Sequence, residues 1–237
     1  MMNPNSNRTD RDTPTVTPSG IELDAPANRA GIDEEDVAEG TTTIGLTTED
    51  AVVLATERRA SMGNIVASKT AKKIYQVTDS AGLTISGGVG DGQSLAKTLK
   101  IESNLYETRR DKSISMKALA SMAGNIMRSI RFFVVPILGG VDDDGPHVFT
   151  LDPAGGVMEE NYATTGSGSV IAYGVLEDKF TEDLSVDEAK SLAVRSLQSA
   201  MERDTASGNG ILLSTITPDE GFEMVDDDEI EEIIEEL

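Results

Sequence analysis

Residues 39–61 read EGTTTIGLTTEDAVVLATERRAS. In front of them lie forty residues holding three arginines, nine acids and four prolines, with almost no large apolar side chain. Such a composition does not offset the entropy of ordering a backbone, and it predicts a flexible acidic leader over 1–40. The character changes at Thr42. TTIGLTTEDAVVLAT reads as two β-branched strands joined by a polar turn near Thr48–Asp50, an antiparallel hairpin. The junction between Gly40 and Thr41 is therefore either an ordinary domain edge or a cleavage point that makes Thr41 a new N-terminus.

Beyond the hairpin, KKIYQV and LTISGGVG are two more short strands with a turn between Thr78 and Gly82. Leu95, Leu99, Ile101, Leu105 and Tyr106 then suit one helix, and Leu119, Met122, Ala123, Ile126 and Met127 form the apolar stripe of a second. RFFVVPILGGVD and HVFTLDPAGG return to strand character, Pro136 favouring an edge or a bulge. A third helix follows GSGS. A fourth starts at SVDE, where Ser185 and Glu188 make a capping box, with Val186, Ala189, Ala193, Leu197 and Ala200 facing one way. GILLSTIT is a last strand before the acidic tail over 226–237. Strands and helices in blocks predict a layered α+β domain with antiparallel sheets over 41–225.

Composition narrows the chemistry. Forty-two acids against 20 bases among 237 residues leave a net charge of −22. That surface repels phosphate and anionic lipid, so neither nucleic acid nor membrane is an expected partner, and it suits a protein kept soluble in high salt. The chain holds no cysteine and one histidine, His147, which excludes thiolate chemistry and any multi-histidine metal site. No apolar run approaches the ~20 residues of a membrane span and no signal-peptide core is present, so a cytoplasmic location is expected.

GGVGDGQS, residues 87–94, sits where phosphate loops sit but lacks their Gly-Lys-Ser/Thr ending. TGSGS does not match the Gly-x-Ser-x-Gly elbow, and His147, in the turn-like DGPH, reads as a surface or strand-end residue rather than a triad base. A hydrolase so equipped needs another activated nucleophile. An N-terminal threonine supplies one: its hydroxyl attacks, and its own α-amine (unperturbed pKa ~7.7–8.0) is the nearby base. This requires removal of residues 1–40, and it predicts a basic side chain close to the hydroxyl.

GTTTIGLTTEDAVVLATERRASMGN, KKIYQV, TISGGVGD, ILGGVDDDGPHVFTLDPAGG, TGSGS and RDTASGNG together resemble the archaeal 20S proteasome β subunit family, from Thr41 to about Thr217. The resemblance implies a four-layer α/β/β/α sandwich with two antiparallel sheets, the N-terminal-nucleophile hydrolase fold. It implies a threonine endopeptidase made with a propeptide cut between Gly40 and Thr41, and it implies no cofactor. By residue, Thr41 matches the nucleophile, Glu57 the acidic partner sixteen positions on, and Lys73 the catalytic lysine thirty-two positions on. Ser167 matches the serine beside the threonine amine, and Asp204 with Ser207 the pair completing that network. Gly87 matches the glycine whose N–H stabilises the oxyanion. Ala60, Ala71, Ile85 and Val89, together with Ser61, match the first specificity pocket, and the first four are small and apolar enough to favour cleavage after hydrophobic residues.

The implied partners are proteasome α subunits and further β subunits in four stacked seven-membered rings (α-β-β-α), an AAA ATPase acting through the α rings, and unfolded polypeptide. A non-catalytic ring subunit and the bacterial two-ring protease are the alternatives. The first should lack the nucleophile, the lysine or the Gly–Thr junction, and all three stand here. ATERRASMGN and RDTASGNG favour the archaeal subunit over the second.

Overall fold

A computed structural model describes residues 15–16, 22–23 and 40–237. The flexible leader expected over 1–40 falls almost wholly outside them. Within it, β1 (Thr15–Val16) and β2 (Glu22–Leu23) pair antiparallel.

The quoted hairpin is β3 (Thr42–Thr47) and β4 (Val52–Glu57), with Thr48 closing its turn through Ala51. β5 (Ala60–Met62) and β6 (Ile65–Ser68) form a small separate hairpin, followed by β7 (Ile74–Thr78) and β8 (Ala81–Thr84). Two helices, α1 (Val89–Arg110) and α2 (Met116–Ser129), lead to β9 (Ile137–Asp142), β10 (Gly145–Leu151), β11 (Val157–Glu160) and β12 (Tyr162–Gly166). Then come α3 (Ser169–Lys179), α4 (Val186–Arg203), β13 (Ile211–Thr217), β14 (Gly221–Met224) and α5 (Asp227–Glu236).

Two five-stranded antiparallel sheets result, ordered β11-β10-β9-β8-β7 and β12-β3-β4-β13-β14. They face each other through Val52, Leu54, Ile74, Ile137, Val148 and Ile216. Their approach is close enough to need glycine: a Cβ on Gly139 would lie 2.8 Å from Val52, and one on Gly45 2.8 Å from Ile137. α1 and α2 cover the outer face of the first sheet, burying Leu95, Leu99, Leu119, Ile126 and Met127. α4, held by the Ser185–Glu188 capping box, joins α3 in covering the second through Ala189, Ala193 and Leu197. Helices, sheet, sheet, helices: the four layers are those of the N-terminal-nucleophile hydrolase sandwich.

Several details depart from the periodicity reading. Ile101, placed on the apolar stripe of α1, is 40% exposed. Gly90, Asp91 and Gly92 belong to the first turn of α1 rather than to a loop. Pro136 lies just before β9, which is an interior strand of its sheet, so the proline marks a strand start. His147 is not a surface residue: it lies within β10, 7% exposed, stacked on Phe149. Its Nδ1 is 2.5 Å from Glu159 and its Nε2 3.2 Å from Asp142, which also caps α2 by accepting from the Met116 N–H at 2.6 Å. The tail from Asp226 is largely helical and returns to the body, with Ile230 buried against the α4 cluster.

Candidate active site

Antiparallel pairing explains why one end of the second sheet becomes a site. β3 and β4 run in register with Thr43 opposite Thr56, so the last residue of β4, Glu57, arrives beside the first residues of β3. The Thr42 N–H donates to Glu57 Oε1 at 3.3 Å. The other carboxylate oxygen accepts the N–H of Arg59 at 2.5 Å and of Gly208 at 3.1 Å. Lys73 comes from the residue just before β7, in the opposite sheet, and its ammonium crosses to form a buried ion pair with Glu57. The same Nζ donates to the backbone carbonyl of Arg59 and, at 2.9 Å, to Thr41 Oγ1.

This pair is no surface contact: Glu57 is fully buried and Lys73 is 3% exposed. Burial penalises both charges. It pushes the Glu57 carboxyl above its ordinary value, against the pull of Lys73 and the N–H donors of Gly208 and Arg59. It pushes the Lys73 ammonium below its ordinary value, with Glu57 and Asp204 opposing that shift and the Arg59 charge adding to it. A lysine so placed delivers a positive charge to the threonine hydroxyl with little water to screen it.

The other half of the site stands on the main-chain side of Thr41. β12 pairs with β3, and Gly166 turns the chain out of β12 at φ +97°, where a Cβ would sit 1.9 Å from the Thr41 carbonyl oxygen. Ser167 follows. Its Oγ accepts from the Thr41 N–H at 3.3 Å and donates to Asp204 Oδ2 at 2.6 Å. Ser207 Oγ donates to that same Oδ2 at 2.6 Å and lies 2.8 Å from Thr42 Oγ1. Asp204 is the C-cap of α4, and Ser207 lies in the turn beyond it. With residue 40 attached the Thr41 nitrogen is an amide, and Thr41 Oγ1 donates to the Gly40 carbonyl at 2.5 Å.

Gly87 lies between β8 and α1 at φ +103°, and a Cβ there would be 2.4 Å from the Phe133 carbonyl oxygen. It faces Val134 in an isolated antiparallel bridge whose two hydrogen bonds flank it, Val135 N–H to Ser86 and Gly88 N–H to Phe133. That pattern turns the Gly87 N–H away from Val134. A cleft lined by Thr41, Ala60, Ser61, Ile85, Gly87 and Val89 opens beside it, with Gly40, Lys72, Lys73 and Tyr75 completing the wall. Ala71 is not among its lining residues; its N–H is bonded to the Arg58 carbonyl at 2.9 Å.

Sequence reasoning missed Arg59. Its N–H and C=O hold Glu57 and Lys73, while its guanidinium donates to the Thr205 carbonyl at 2.6 Å and to Asn209 Oδ1 at 2.8 Å. It joins the two halves of the site. ATERR carried no signal for this beyond the adjacency of Arg59 to Glu57, because the partners lie about 150 positions away. Among the described residues no group of three or more His, Asp or Glu is arranged to hold a metal, and no helix is long and apolar enough to cross a membrane.

Comparison with known proteins gives the family. The family model for proteasome subunits matches residues 37–216. The chain is 49% identical over 209 residues to the proteasome subunit beta of Methanothermobacter thermautotrophicus, covering 87% of this chain and all of that protein. It is 48% identical over 231 residues to that of Halorhabdus utahensis, covering 97% and 98%. It is 54% identical over 182 residues to proteasome subunit beta 1 of Haloarcula marismortui, covering 76% of each. With its four-layer sandwich and a match spanning most of its length, the chain belongs to the proteasome subunit family, among the archaeal β subunits.

Proposed function

We propose that this β subunit is a threonine endopeptidase that exposes its own nucleophile by cutting between Gly40 and Thr41. The observation that carries the proposal is the contact of Lys73 Nζ with Thr41 Oγ1 at 2.9 Å, in a pocket where Lys73 is also paired with Glu57. Once residues 1–40 are gone, the Thr41 amine stands beside Ser167, whose own proton is tied to Asp204. The hydroxyl then attacks the scissile carbonyl carbon and its proton passes to this amine. Lys73 stabilises the developing alkoxide, and the Gly87 N–H serves the carbonyl oxygen as it becomes an oxyanion. The amine returns the proton to the leaving peptide nitrogen. Water, activated by the same amine, hydrolyses the acyl ester and restores the hydroxyl.

The cleft walls of Ala60, Ile85 and Val89 support cleavage after hydrophobic residues. Kinship with proteasome β subunits supports assembly in rings with further β and with α subunits, ATPase-fed unfolded polypeptide as substrate, and a cytoplasmic location.

Intact-mass analysis of chains recovered from assembled particles is expected to show Thr41 as the first residue. Lys73→Ala is expected to keep the leader and to lose about 10²–10⁴-fold in peptide hydrolysis. Active particles built from full-length chains, or a fully processed Lys73→Ala variant with parental turnover, would sink the proposal.

A further inference from the structure

Gly40 is buried, and the space around it is filled. A Cβ built on Gly40 lies 2.1 Å from the Ala206 Cβ and 3.1 Å from its Cα, and 2.4 Å from Ser61 Oγ. The two obstacles differ in kind. Among the described residues Ser61 Oγ has no hydrogen-bond partner, and it moves aside by rotation about its Cα–Cβ bond. The methyl of Ala206 has no such freedom, since it moves only with the backbone.

That backbone is braced. The Ala206 N–H donates to Asp204 Oδ1 at 3.1 Å, and Arg59 holds the carbonyl of the preceding residue, Thr205, and the Asn209 side chain. Residue 40 is constrained as well: its carbonyl oxygen accepts from Thr41 Oγ1 at 2.5 Å, and a shift of residue 40 disturbs the alignment of that carbonyl with the hydroxyl that must attack it.

We propose that the Ala206 methyl restricts self-cleavage to glycine at position 40, and that Ser61 does not. This rests on the self-cleaving reading above. In that step Thr41 Oγ1 adds to the Gly40 carbonyl carbon, the bond from that carbon to the Thr41 nitrogen breaks, and the hydroxyl proton ends on the amine. Water then splits the ester, leaving a Gly40 carboxylate and a free Thr41 hydroxyl. A side chain on residue 40 blocks the first addition and leaves a finished site untouched.

The test carries each variant, tagged, into particles by an excess of the parent chain and follows its intact mass with time. Gly40→Ala is expected to slow cleavage before Thr41 at least about tenfold. Gly40→Ala with Ala206→Gly is expected to recover it, and Gly40→Ala with Ser61→Gly is not. Gly40→Ala cleaved at the parental rate overturns the proposal, as does recovery by Ser61→Gly or failure of Ala206→Gly to restore cleavage. An Ala206→Gly chain that keeps Gly40 yet retains its leader overturns it too, since the methyl would then be needed for more than exclusion. A parent chain never cut at this bond removes the self-cleaving reading itself. Failure confined to the variants leaves that reading standing.

Discussion

Of the two carboxylates that hold the charge at the nucleophile, Glu57 does more than Asp204. Burial drives the Lys73 ammonium toward its neutral form, and Glu57 is the largest influence keeping it charged. If the charged lysine is the working form, activity falls as pH rises through its pKa. Glu57→Gln removes the opposing influence, so that pKa drops further and the alkaline limb of kcat/KM moves to lower pH. Turnover also falls, because a buried ammonium is left without its counter-charge. A pH profile of matured particles measures both effects. An unmoved alkaline limb would show that Lys73 does not act as a cation.

At the scale of elements, the chain after β4 and the turn after α4 are bolted together by Arg59. Arg59→Met keeps the apolar stem and the two main-chain bonds to Glu57 and Lys73 but releases the 205–209 turn. The expected result is a drop of about tenfold or more in kcat with a smaller change in KM, because positioning rather than binding is lost. The alkaline limb should move to higher pH, opposite to Glu57→Gln, since the Arg59 charge pushes the Lys73 pKa down. Helix α5 is a second case. It anchors through Ile230, 4% exposed, and through Arg58–Asp227 and Lys190–Glu229 ion pairs at its margin. Ile230→Ala is expected to cost about 2–5 kcal/mol, read from urea unfolding of the isolated subunit. The exposed Arg58–Asp227 pair, removed alone, should cost less than about 1 kcal/mol.

For the whole molecule, charge is the dominant variable. Residues 1–40 hold three bases and nine acids, so the chain from Thr41 keeps 17 bases against 33 acids, a charge of −16. Eight of those acids stand between Asp226 and Glu236, and apart from Ile230 the helix they form is mostly exposed. Many such subunits in one particle repel one another over the Debye length, ~10 Å at 0.1 M salt and ~3 Å at 1 M. Size-exclusion chromatography across a salt series is therefore expected to show particles breaking into smaller species as salt falls. Particles intact in ~0.05 M salt would remove the halophilic reading and leave the protease proposal untouched.

The sequence by itself determined the outline: the β3–β4 hairpin, the capped α4, the layered α+β class, and the spacing of Glu57 and Lys73 from Thr41. Each of these is written in local periodicity, capping chemistry or ordered motif blocks, which need no partner from elsewhere in the chain. Short β5, β6, β11, β12 and β14 and the helical tail escaped, because their apolar residues are few and their pairing supplies the order. His147, read as a surface or strand-end residue, is buried within β10 because β9 and β11 flank that strand and bring Asp142 and Glu159 to it. Only the tertiary structure decided that Lys73 from one sheet meets Thr41 and Glu57 from the other. The same holds for Arg59 clamping a turn about 150 positions away and for the Ala206 methyl filling the space beside Gly40. Contacts of that kind depend on how two twisted sheets and a helix end converge in space, and no local pattern in the chain encodes that convergence.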